Sequence, residues 1–220
     1  MKFDRQRRQM IADIEAGVAI TRKMIGKDRL DNRVMTAMRQ VPREEFVPPD
    51  LRHAAFRDGA LPVGHGQTIS QPYIVALMTD MLELTDDSVV LEVGTGTGYQ
   101  AAILASLARQ VYSIERIPAL AEAARQRLED LGYDNVETRC GNGYQGWPEK
   151  APFDGIVVTA AAPFIPPALL EQLKPGGRMA IPVGLPYSHQ ELMLVSRDKL
   201  GETHTRSVLA VAFVPMVETD

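Results

Sequence analysis

Two carboxylates, three alternating glycines and one serine carry the chemistry legible in this chain. Glu92 stands near the end of the apolar run Val89-Val90-Leu91-Glu92-Val93, and Gly94-Thr95-Gly96-Thr97-Gly98 follows it and opens onto the helical pattern Tyr99-Gln100-Ala101-Ala102. A strand that breaks into glycines and then a helix is the first βα turn of a doubly wound sheet, where ligands sit outside the carboxyl ends of the strands. The dinucleotide fingerprint wants its third glycine three places after the second. Here Gly94, Gly96 and Gly98 alternate, and Tyr99 takes the next place. A pyrophosphate is disfavoured by that spacing, and again by Glu92, since a carboxylate aimed at the crevice repels phosphate and attracts an ammonium. S-adenosylmethionine has an amino group, a sulfonium and no phosphate, and suits this turn better than a nicotinamide dinucleotide.

Further candidates follow from the ends of the neighbouring strands. Gln110-Val111-Tyr112-Ser113-Ile114-Glu115 reads as the second strand. Its terminal carboxylate lies about 20 residues beyond the first glycine, the spacing at which an acidic residue grips both ribose hydroxyls; the plainer reading of Glu115 is a solvated charge. After the third strand, Cys140-Gly141-Asn142-Gly143 makes a tight turn in which Asn142 either presents its amide to adenine or only supplies turn geometry. After the fourth comes Thr159-Ala160-Ala161-Ala162-Pro163, all small residues where enzymes that methylate base amines carry an Asn or Asp, prolines and an aromatic. Cytosine carbon methylation needs a cysteine beside a proline, and Cys140 has none. No metal site is expected, because His53, His65, His189 and His204 stand at no ligand spacing. Ser70 is the polar side chain expected nearest the reacting centre. Followed by Gln71-Pro72 and an apolar helix, it is equally an ordinary helix start.

The elements that must position these residues fit one domain of 220 residues, 45% hydrophobic and 24% charged. A net charge of -4 argues against a phosphate-neutralising surface and so against nucleic acid as a partner. Arg5, Arg7 and Arg8 precede no apolar signal core, no apolar run is long enough to span a membrane, and Cys140 is the single cysteine. A soluble, cytoplasmic protein is expected, working as a monomer. Residues 1–85 read as a helical cap and substrate loop, and 86–220 as the α/β core. In the first part, a helix over about 3–25 ends at Gly26 and a second follows Asp31; both are read as a cap over the strand ends. From Pro42 to Pro72, prolines alternate with glycines in a connection that reads as structureless and functional, a lid or binding loop. Strands are expected near 88–93, 110–115, 135–139, 153–159, 178–183, 190–197 and 206–214, with helices near 98–108, 118–131 and 164–173. Lys174-Pro175-Gly176-Gly177 reads as a turn before a strand, and the last two strands as an antiparallel edge hairpin whose order the sequence leaves open.

Three segments also resemble a known family. Gly64-His65-Gly66-Gln67-Thr68-Ile69-Ser70-Gln71-Pro72, Leu91 through Ala102, and Val211-Ala212-Phe213-Val214-Pro215-Met216-Val217 are similar to the protein-L-isoaspartate (D-aspartate) O-methyltransferases, over about Met10 to Val217. The glycine turn alone points only to a methyltransferase; Gln67-Thr68-Ile69-Ser70-Gln71-Pro72 is the family-specific part. The resemblance implies a Rossmann-like class I methyltransferase sheet of about seven strands. It also implies methyl transfer from S-adenosylmethionine, leaving S-adenosylhomocysteine, to the free α-carboxylate of L-isoaspartyl residues in damaged proteins, which starts repair through a methyl ester and a succinimide. Carried over by position, Ser70 matches the active-site hydroxyl, and Thr68 and Ile69 its neighbours facing the cofactor. Glu92, Gly94, Thr95, Gly96 and Gly98 match the methionine-end turn, Glu115 the ribose carboxylate, and Asn142 with Gly143 the adenine turn, where the family more often has Asp. From the residues alone, a methyltransferase of a small carboxylic acid and a non-catalytic S-adenosylmethionine-binding adaptor stay open.

Overall fold

A computed structural model describes residues 3–186 and 188–217. The chain begins with α1 (Asp4–Ile25), stopped by Gly26 in the left-handed conformation. Next comes α2 (Asn32–Gln40), whose N-cap Asp31 accepts the Arg33 N–H at 2.6 Å. The proline-rich connection is not structureless. It holds two 3-10 turns, Arg43–Glu45 and Pro49–Ala54, and a small antiparallel hairpin of β1 (Leu61–Gly64) and β2 (Gln67–Ile69). The buried helix α3 (Pro72–Met81) leads into the sheet.

The sheet alternates as expected: β3 (Val89–Val93), α4 (Tyr99–Ala105), β4 (Gln110–Glu115), α5 (Pro118–Asp130), β5 (Val136–Cys140), β6 (Phe153–Val158), α6 (Pro167–Gln172), β7 (Leu173–Gly184), β8 (Gln190–Arg197) and β9 (Thr203–Val211). Its order is β5-β4-β3-β6-β7-β8-β9. Strands β3 to β7 pair in parallel, while β8 is antiparallel to both β7 and β9. β8 is therefore the inner strand of the hairpin and β9 the edge. Lys174-Pro175-Gly176-Gly177 do not separate a helix from a strand: they bulge out of β7, with Leu173 opposite Phe153 and Arg178 opposite Gly155.

Successive strand residues point to opposite faces, and both faces are covered. Val90, Val157 and Ala180 join α1 to α4 in one apolar core, and Leu91, Ile156 and Met179 join Trp147 and Leu169 in the other. Helices α1 and α2 pack against α3 on the first face, and neither lines the crevice at the strand ends. They form the N-terminal helical layer on that face of the sheet. The crevice at the strand ends is lined by β2, by Ser70 and by residues 214–217.

Candidate active site

The switch point of the sheet lies at β3, flanked by β4 on one side and β6 on the other, and the crevice opens at their carboxyl ends. Beyond Val93 the chain turns through Gly94 (φ 98°), which lies so close to the Thr159 hydroxyl that a Cβ would collide with it. Thr159 Oγ1 donates to the Gly94 carbonyl at 2.6 Å, and the Gly94 N–H donates to the Ile114 carbonyl at 2.8 Å. The turn is thus bolted to both neighbouring strands. Gly94, Thr95 and Gly96 line the crevice. Gly98 does not: it is the N-cap of α4 at φ 90°, packed on Leu128, and supplies turn geometry from behind.

The two glutamates part company. Glu115 is 6% exposed and lines the crevice; its Oε2 accepts the Gly96 N–H at 2.8 Å and its Oε1 the Ile117 N–H at 2.9 Å. Each oxygen keeps acceptor capacity, so the fixed carboxylate suits a vicinal diol. Glu92 is fully buried beneath the turn and does not line the crevice. Its register partner Ser113 donates to it, and Ser113 Oγ lies 2.6 Å from Thr95 Oγ1. Burial pushes the Glu92 carboxyl up to about 8, against the Ser113 hydroxyl that lowers it. Largely protonated at neutral pH, Glu92 does not present the charge that the sequence reading gave it. Glu115 lines the crevice, and Glu92 is linked to it through Ser113 and Thr95.

Asn142 also turns inward. Its Oδ1 accepts the Tyr144 N–H at 3.0 Å, closing its own 3-10 turn, and Asn142 is not on the crevice wall. Gly143 is on it, wedged where a Cβ would collide with Val93 and stand 2.8 Å from Met216 Cε.

Thr68, Ile69 and Ser70 line the crevice as expected. The N-cap of α3 is Gln71, so Ser70 stands one residue outside the capping position. Thr68 and Ser70 also border a second hollow, a groove between α3 and the end of β9 at Leu209–Phe213. Sequence reasoning missed the far wall, Val214-Pro215-Met216-Val217. The Ala161 N–H donates to the Val214 carbonyl and the Met216 N–H to the Ala161 carbonyl, each at 2.8 Å, so the small residues after β6 serve as a docking rail. The motif Val211 to Val217 was the available signal. Away from the crevice, Asp198, Glu202 and His204 gather within 4.8 Å, a cluster that spacing does not reveal; Asp198 Oδ1 accepts the Leu200 and Glu202 N–H groups.

The crevice fits S-adenosylmethionine: a fixed carboxylate for a diol, a close backbone approach at Gly94 and Gly96, and an apolar wall of Ile69, Val93, Ile117 and Met216. With a doubly wound sheet, these features define an S-adenosylmethionine-dependent methyltransferase of the Rossmann-like class I. The chain belongs to the protein-L-isoaspartate(D-aspartate) O-methyltransferase (PCMT) family, whose model matches residues 19–220. Its activity is that of the family, with S-adenosylmethionine as methyl donor. The chain is 62% identical over 210 residues to protein-L-isoaspartate O-methyltransferase 2 of Syntrophobacter fumaroxidans, covering 96% of this chain and 85% of that one. Among solved structures, a protein-L-isoaspartate O-methyltransferase is similar at a TM-score of 0.81 and 29% identity, over 96% of this chain and 66% of that one. A Plasmodium falciparum candidate for the same activity, solved with S-adenosyl-L-homocysteine, gives a TM-score of 0.75 and 25% identity, over 94% and 98%.

Proposed function

We propose that Ser70 is the hydroxyl that orients the acceptor carboxylate of an L-isoaspartyl residue, and that the two hollows meeting at Ser70 are the cofactor and peptide sites. The observation that carries this is the sharing of Thr68 and Ser70 by both hollows. S-adenosylmethionine supplies an electrophilic methyl on sulfur. The chain's own part is modest, because an α-carboxylate is ionised at neutral pH and needs no general base. Ser70 donates a hydrogen bond to one carboxylate oxygen and leaves the other free for attack. The apolar wall keeps water out, and alignment accounts for most of the acceleration. Thr68, Ile69, Gly94, Thr95, Gly96, Glu115 and Gly143 hold the cofactor directly, while Glu92, Gly98 and Asn142 shape the turns behind them. A groove between α3 and the end of β9 suits a peptide better than a small free acid. No helix among the described residues is long and apolar enough to cross a membrane. A net charge of -4 supports action on protein rather than nucleic acid, and the lone cysteine Cys140 suits a reducing, cytoplasmic compartment.

The test is Ser70→Ala, assayed with labelled cofactor on an isoaspartyl peptide and on its normal aspartyl counterpart. Turnover on the first should fall by about 10- to 100-fold with S-adenosylhomocysteine still bound, and the second should stay unmethylated. Wild-type turnover by Ser70→Ala removes the serine from the reaction.

A further inference from the structure

We propose that Arg43 is a positioning residue for methyl transfer, its guanidinium setting where Ser70 stands relative to the glycine turn. The proposal rests on the reading of Ser70 above and adds to it a residue outside both hollows. Arg43 is 0% exposed at the head of the 3-10 turn Arg43–Glu45. Its Nε donates to the Ala55 carbonyl and its Nη2 to the Ser70 carbonyl, both at 2.7 Å. Its guanidinium lies 4.6 Å from the centroid of the Tyr99 ring. Tyr99 is the first residue of α4 and lines the crevice beside Gly98. One flat cation therefore touches the proline-rich segment, the Ser70 segment and the start of the cofactor helix.

Burying a guanidinium is costly, and an apolar side chain of similar volume commonly serves stability as well or better. What only a guanidinium supplies is two donors at a fixed angle and a flat face for an aromatic ring. A lysine reaches one carbonyl, not both with the stack. The turn at 43–45 thus grips the Ser70 segment directly and meets the start of the cofactor helix through Tyr99. Separately, Arg127 on α5 anchors the glycine turn, its Nη1 donating to the Thr97 carbonyl at 2.8 Å.

Arg43→Gln and the conservative Arg43→Lys test this in the full chain, each alone and combined with Ser70→Ala, after thermal melts establish folding. Arg43→Gln should lower kcat on an isoaspartyl peptide by roughly 10- to 100-fold, the scale of a misplaced reacting geometry. Its affinity for S-adenosylhomocysteine, by calorimetry, should change by less than about threefold. In the Ser70→Ala background the same change should cost under about twofold, because coupled residues are non-additive. Arg43→Lys should fall between. Undiminished kcat in a folded variant, or an equal loss in both backgrounds, overturns the proposal while leaving Ser70 in place. Wild-type turnover by Ser70→Ala alone overturns the Ser70 reading and this one with it. Should the substitutions unfold the chain, hydrogen exchange on the wild-type protein with S-adenosylhomocysteine decides. Added isoaspartyl peptide should slow exchange around Ala55 as well as around Ser70, and protection confined to the Ser70 segment overturns the proposal.

Discussion

Glu115 and Glu92 sit on adjacent strands of one sheet, and burial geometry gives them opposite work. Glu115 at the end of β4 is held by two backbone N–H groups with its oxygens on the crevice, so Glu115→Ala should weaken S-adenosylhomocysteine binding. The loss, read by calorimetry, should be about 1–3 kcal/mol, the scale for hydrogen bonds to a charged group. Unchanged affinity would take Glu115 out of the site. Glu92 is raised to about 8 by burial, so below the ordinary carboxylate range it is protonated in folded and unfolded chains alike. As pH rises from about 4.5 to 8, the unfolded chain releases this proton and the folded one keeps it. Stability present at low pH is therefore lost across that window. Glu92→Gln carries no such proton, and its melting temperature should gain on wild type between pH 5 and pH 8. An advantage equal at both pH values would locate the titration elsewhere. Spacing from the glycines made Glu115 legible. The inward turn of Glu92 was not, because both faces of β3 are covered and a period of two does not say which face meets the ligand.

At the scale of elements, long apolar runs and glycine stops were readable, and short elements built on exceptions were not. The β1–β2 hairpin is made of strands of four and three residues carrying Pro62 and Gly64, types that normally argue against a strand. Its two-residue turn is His65-Gly66, at φ 54° and 70°, the pattern usually written Asn-Gly. The side-chain role of Asn142 was hard to read for a related reason: a turn residue between glycines also serves its own backbone. Gly143 then carries the contact with the crevice, through space rather than conformation. Gly143→Ala should force Val93 and Met216 apart, since overpacking a filled site costs about 1–3 kcal/mol. The expected readout is a lower melting temperature together with weaker S-adenosylhomocysteine binding. A fall in stability with affinity intact would mean that the adenine end of the crevice does not reach Gly143.

For the molecule as a whole, the crevice is assembled from segments far apart in sequence, from Gln67 to Val217, and the pairings that bring them together are non-local. That is why the strand order and the far wall escaped a residue-by-residue reading, although the segments themselves were visible. The far wall depends on the edge of the sheet. Gln190 at the start of β8 is 3% exposed, and its amide brackets Phe213: Oε1 accepts the Phe213 N–H at 2.7 Å and Nε2 donates to the Phe213 carbonyl at 3.2 Å. Phe213 adjoins Val214, where the crevice wall begins. Gln190→Ala leaves a backbone donor and acceptor without these partners, a loss of about 1–3 kcal/mol. At roughly 2–4 °C per kcal/mol for a chain of this size, the melting temperature should drop measurably. If the edge strand positions the wall, S-adenosylhomocysteine affinity falls with it, although Gln190 touches neither hollow. If affinity holds while stability drops, the rail at Ala161 is sufficient by itself to keep residues 214–217 over the cofactor.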